Sequence, residues 1–134
     1  MYLLDTNICI QILNGTSSSV IHRLGQSSPS EIFLCSIVKA ELLYGAHHSE
    51  RVNENLSLLR KFFAPFDSYP FDDHCAESYG QIREELAQRG LPIGPNDLMI
   101  AAIAQSHNLT LVTHNYREFD RVTELRVEDW HTKT

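Results

Sequence analysis

Apolar residues in this chain fall into short unbroken runs, and most of these runs are followed by a stretch with helical spacing. Residues 2–4 (Tyr-Leu-Leu) predict a short buried strand. Residues 6–13 predict a helix capped by Asp5 or Thr6. The stretches NGTSSS (14–19) and GQSSPS (25–30) are polar loops, and EIFLCSI (31–37) predicts a second apolar strand. Ser36 is expected to cap a helix over 38–46. A longer helix follows through ERVNENLSLLRKFF, with Val52, Leu56, Leu59 and Phe63 spaced for one face. Prolines break residues 63–71, which leave room for a short strand. Asp72 then caps a helix through Arg89, ended by Gly90. Its inner stripe is Ala76, Tyr79, Ile82, Arg83 and Leu86, with the Arg83 head reaching out to solvent. Residues 94–108 predict another helix, with Pro95 in its first turn. From 98 to 104 it is apolar all round, which places it in the middle of the domain. LTLVT (109–113) is a strand with apolar residues on both faces, and LRVEDW (125–130) contains a last short one. Apolar strands separated by helices indicate an α/β fold. Its expected core is a parallel sheet of four to five strands with helices on both faces.

A length of 134 residues suits one domain over 1–134. No apolar run reaches the about 18 residues of a membrane span. No basic leader precedes an apolar run and a cleavage site, so a cytoplasmic location is expected. Cys9, Cys35 and Cys75 are odd in number and lack CxxC spacing, which argues against a disulfide framework and a cysteine-based zinc site. Cys9 and Cys35 sit among apolar residues and read as small core residues. The formal net charge of −6 does not suit a broad basic surface for nucleic acid. It suits a small acidic enzyme, a basic partner, or acids gathered around a cation.

Three acids stand among apolar neighbours. Asp5 ends the first strand, Glu41 lies inside the helix after the second, and Asp97 is in the first turn of the buried helix. Taken singly, Asp5 reads as a helix cap, Asp97 as an acid favoured by the helix dipole, and Glu41 as one member of a solvated face. Taken together they suggest a site. Two carboxylates about 4 Å apart repel by roughly 4 kcal/mol at an effective dielectric of ~20, so three would not stay ionised together without a cation. Hard divalent ions such as Mg²⁺ or Mn²⁺ take oxygen ligands and keep several waters. Open α/β sheets form their sites at the carboxyl ends of strands, where Asp5 should lie.

LLDTN, SIVKAELLYGA, GPNDLMIAA and LVTHNYREFDRV, in this order and spacing, resemble the PIN-domain ribonucleases and in particular the VapC toxins of bacterial toxin–antitoxin pairs. The resemblance runs nearly the whole chain, through VEDW at 127–130. It implies a PIN-like fold and a metal-dependent endoribonuclease. Asp5, Glu41 and Asp97 match three of the family's acidic positions. Many PIN domains carry a fourth aspartate after the VT strand, where this chain has Asn115; Glu118 is the residue that could supply that carboxylate. If HNYREF forms a helix, 115 and 118 share a face and Phe119 packs into the core. Thr6, Asn7 and Thr113 would be polar support, and Lys39, Arg83, Arg89 and Arg117 the candidate RNA phosphate contacts. His114 reads as a substrate contact or a solvated loop residue. The resemblance further implies a VapB-type antitoxin, a tRNA substrate (the initiator tRNA in some similar toxins) and a homodimer using apolar residues of the helices over 38–63.

Two rival readings remain at this level. A receiver-like signalling module would need an acid pair after its first strand and a lysine near its last, and this chain has neither. A catalytically inactive PIN-like binding module would not need Asp5, Glu41 and Asp97 all present.

Overall fold

A computed structural model describes residues 1–131. Its centre is a sheet of five parallel strands in the order β3-β2-β1-β4-β5, formed by β1 (Tyr2–Leu4), β2 (Ile32–Cys35), β3 (Asp67–Tyr69), β4 (Thr110–Val112) and β5 (Val127–Glu128). Leu3 pairs with Phe33 on one side and Leu111 on the other. Leu3, Leu4, Leu34, Leu111 and Val112 are all fully buried. Helices on both faces leave no solvated side, which is why these strands are continuous apolar runs without alternation.

The helices are α1 (Thr6–Asn14), α2 (Ser18–Gly25), α3 (Ser36–His47), α4 (Val52–Phe63), α5 (Asp73–Gln88), α6 (Pro95–Ser106) and α7 (Tyr116–Phe119). Asp5 caps α1 through the Thr6 amide, and Gly15 ends it at φ 65, a left-handed conformation that glycine adopts without a Cβ clash. Asp72 caps α5 through the Cys75 amide. In α6, residues 100 to 104 are fully buried, and this helix packs on α5.

Several expectations shift. The segment taken as polar loop at 14–19 runs into α2, capped by Ser17 and anchored by the buried Val20. The second strand stops at Cys35, so Cys35 rather than Ser36 is the cap position of α3. The Ser36 hydroxyl instead accepts from the Phe71 amide at 3.2 Å and ties the chain after β3 to the start of α3. On α5 the buried residues are Cys75, Ile82 and Leu86, while Ala76 and Arg83 are exposed. Arg83 lies against the Tyr79 ring and donates to its hydroxyl at 3.0 Å. Cys9 and Cys35 are buried free thiols, as core residues should be.

Candidate active site

The carboxyl ends of β1 and β4 lie side by side. The Asp5 amide donates to the Val112 carbonyl at 3.0 Å, carrying the sheet pairing one residue past β1. Asp5 is thereby held 5 % exposed at the rim of the sheet, and both carboxylate oxygens are engaged. Oδ1 accepts from the Thr6 amide at 2.8 Å and Oδ2 from the fully buried Thr113 hydroxyl at 2.7 Å. Asp5 caps α1 and at the same time lies within reach of the other acids' charges. Burial raises its pKa; the Thr113 and Thr6 hydrogen bonds pull it down, and the charges of Glu41 and Glu118 push it up.

Glu41 is half-buried on α3, and its Oε1 accepts from the Thr6 hydroxyl at 2.7 Å. Thr6 thus serves two acids, its amide on Asp5 and its hydroxyl on Glu41. Asp97 lies in the first turn of α6. Desolvation, a proton shared with Glu118, and the charges of Glu118, Asp5 and Glu41 push its carboxyl up to about 7. Glu118 is positioned by α7, the short helix anchored by the fully buried Phe119. Its Oε2 accepts from Asn115 Nδ2 at 2.8 Å and its Oε1 from the Gly94 amide at 3.3 Å. Partial burial works against the ionised form of Glu118, but the bonds from Asn115, Asp97 and Gly94 outweigh it, and its pKa is lowered. The Thr113 hydroxyl also accepts from the Asn115 amide at 3.0 Å, which joins the Asp5 and Glu118 ends of the site.

The structure therefore brings Asp5, Glu41, Asp97 and Glu118 into one electrostatic cluster supported by Thr6, Thr113 and Asn115. None of the four acids is ion-paired among the described residues. No three of them bring oxygens all within 4.8 Å of one another, so the ring is wider than a closed chelate. A hard cation that keeps part of its water shell suits such a ring and such a donor set. Asn7 is exposed and lines a shallow cleft with Ile10, Gln11, His114 and Asn115. His114 is paired with Asp129 at 3.0 Å.

The basic candidates are dispersed. Lys39 sits 5.1 Å from the Phe63 ring centre. Arg89 is spent on Glu85 at 3.3 Å and on the Arg121 carbonyl at 2.7 Å. Arg83 lies along Tyr79, and Arg117 is exposed on α7. They are carried by α3, α5, the residue that ends α5, and α7. One contributor has no signature in the sequence, the Gly94 amide, a backbone group; Arg121, a neighbour of Glu118 in the reading that makes that acid a solvated one, favours its ionised form.

A five-stranded parallel sheet with acids gathered where its central strands end is the arrangement of a PIN domain. Residues 2–125 match that family, and the chain belongs to it. Within it the chain falls among the VapC ribonucleases. It is 42% identical over 129 residues to the tRNA(fMet)-specific endonuclease VapC of Shigella flexneri, covering 96% of this chain and 97% of that one. It is 41% identical over 131 residues to ribonuclease VapC2 of Rickettsia felis, covering 97% and 98%. The crystal structure of VapBC2 from Rickettsia felis bound to a promoter DNA fragment superposes with a TM-score of 0.90 at 41% identity, over 96% of this chain and 98% of that one. DNA-bound VapBC from Salmonella typhimurium gives 0.90 at 39% identity, over 96% and 97%.

Proposed function

We propose that this chain is a divalent-metal-dependent endoribonuclease toxin that cuts tRNA, with initiator tRNA the leading candidate, and that a VapB-type antitoxin restrains it. The observation that carries the reading is the cluster of Asp5, Glu41, Asp97 and Glu118 with no cationic partner among the described residues. Four carboxylates gathered this way cost the fold free energy, and a cation offsets that cost.

Asp5, Asp97 and Glu118 would hold Mg²⁺ or Mn²⁺, with Glu41 near it or reaching it through water. Such an ion would counter charge growing on the scissile phosphate and acidify an attacking water. The protein's part is orientation. Thr113 and the Thr6 amide fix both oxygens of Asp5, the Thr6 hydroxyl aims Glu41, and Asn115 and Gly94 hold Glu118. Supporting bonds of this kind set carboxylate direction and reduce the entropy lost on loading. An ion at the site would favour the ionised form of Asp97, whose carboxyl the surrounding acids push up in its absence. Asn115 supplies no charge, so Glu118 is the fourth carboxylate.

Support for the substrate comes from a relative named for cleavage of tRNA(fMet). The scattered cations favour a folded RNA read by shape and an exposed loop over a long duplex track. Support for the antitoxin comes from relatives solved as VapBC pairs and from an apolar groove formed by Ile10, Leu13, Leu42, Leu58 and Leu59, with Glu41 at its edge. A basic residue of the antitoxin would suit the acids beyond that edge. Leu43 and Tyr44, 37% and 68% exposed, are candidates for a homodimer contact. Among the described residues no helix is long and apolar enough to cross a membrane; a cytoplasmic location follows from the proposed substrate. The reading is tested by expressing the chain alone and with the antitoxin encoded beside it. Growth arrest relieved by the antitoxin and absent in Asp5→Asn supports it; harmless expression of the folded wild type contradicts it.

A further inference from the structure

A second cluster of metal-ligating side chains lies outside the acid quartet. Asp72, Cys75 and His107 each place a ligand atom so that all three atoms fall within 4.8 Å of one another. They come from two elements that pack together. Asp72 is the cap of α5, Cys75 is in its first turn, and His107 follows the last residue of α6. The geometry is fixed from several sides. Asp72 Oδ1 accepts from the Cys75 amide at 3.0 Å, and the Tyr69 ring stacks on the His107 imidazole with centroids 3.7 Å apart. His107 Nε2 is shut off from solvent and has no hydrogen-bond partner. A buried ring nitrogen left this way is costly unless something fills it. Cys75 is buried; its thiol lies 3.8 Å from the Pro70 carbonyl and also meets the Asp72 carboxylate and the Ser106 side chain.

We propose that Asp72, Cys75 and His107 form a site for a borderline-soft divalent transition metal, Zn²⁺ by preference, with water in the fourth position. Thiolate, imidazole and carboxylate make the donor set that suits zinc, whereas Mg²⁺ prefers oxygens alone. Cys75 enters as the thiol, and its proton passes to solvent when the Zn–S bond forms. The bound ion would join the edge strand β3 and the start of α5 to the end of α6, because Tyr69, Asp72 and His107 would share one fixed point. It shares no residue with the acid quartet.

The test is a Co²⁺ titration of the chelator-treated full chain in excess Mg²⁺, read by the near-ultraviolet thiolate-to-cobalt absorption. Wild type should develop the band stoichiometrically and lose it on adding Zn²⁺. Cys75→Ser should abolish it. His107→Gln should weaken Co²⁺ binding by at least about tenfold, the low end of what loss of a mere supporting partner costs. Asp72→Asn, which keeps a good helix cap and removes the charge, should weaken it likewise and guards against misfolding of the other variants. The band should survive Cys35→Ser and Asp97→Asn. No band in wild type, a band that persists in Cys75→Ser, or undiminished binding in Asp72→Asn would overturn the site.

Discussion

The Thr113 hydroxyl donates to Asp5 Oδ2 at 2.7 Å, joining the ends of two adjacent strands through residues 108 positions apart in sequence. Thr113→Val keeps the volume and removes the donor. It should raise the Asp5 pKa further and weaken Mg²⁺ or Mn²⁺ binding about 10–100-fold, as loss of a supporting partner does. Isothermal calorimetry on wild type and variant measures this, and equal affinities would show that the bond only packs the strand ends.

Glu118→Gln keeps the shape and loses the charge. RNA cleavage by this variant should fall mostly at limiting Mg²⁺ and recover partly at saturating Mg²⁺. Asn115→Ala removes one hydrogen bond to Glu118 and should do less. Wild-type rates for Glu118→Gln at every metal concentration would leave the site with three working acids.

The shape of the pH dependence follows from Asp97. Its pKa in the fold is about 7, raised above the ordinary 3.8, so between these values the folded state binds more protons than the unfolded one. Stability of the metal-free protein should therefore fall as pH rises through this window. The lowered pKa of Glu118 acts oppositely, its contribution being lost on acidification below its ordinary value of 4.5. Melting in EDTA should give a higher Tm at about pH 5.5, near the middle of that window, than at about pH 7.5, just above it. Asp97→Asn should flatten the difference, and Mg²⁺ should raise Tm most at the higher pH. A Tm rising with pH in EDTA would contradict the carboxyl clustering.

Phe119 is fully buried one residue after Glu118. Phe119→Ala should cost about 3–5 kcal/mol in denaturant unfolding. Phe119→Leu should cost much less and retain Mg²⁺ binding, because it keeps α7 docked. Equal losses for the two would mean that packing at this position does not hold Glu118.

The strands were legible because burial on both faces makes them apolar runs, and Asp5 and Asp72 announced their helices by cap chemistry. Asp5, Glu41 and Asp97 stood out as charges among apolar neighbours, whereas Glu118 was suggested only by the family resemblance and depends on the turn of HNYREF into α7. What escaped had local causes. The cap Ser17 is hidden in a serine run, and α2 buries only Val20, so its pattern reads as loop. Ser36 is polar where a cap belongs, but α3 already begins there, with Cys35 as its cap, and the Phe71 amide claims the hydroxyl. On the α5 stripe Ile82 and Leu86 are buried as expected, and only at its start does Cys75 carry the burial given to Ala76. The Asp72–Cys75–His107 group could not be seen at all, since His107 lies 32 positions from Cys75 and meets it only through the packing of α5 on α6.

The central claim is that the acid quartet makes this chain a metal-dependent ribonuclease. Its most direct test is cleavage of purified initiator and elongator tRNAs by the isolated chain, in Mg²⁺ and in EDTA, beside a folded Asp5→Asn variant. Site-specific cutting of initiator tRNA in Mg²⁺, lost in EDTA and in Asp5→Asn, is the expected result. Cutting that persists in EDTA or in Asp5→Asn, or no cutting of either tRNA by the metal-loaded wild type, would contradict the account.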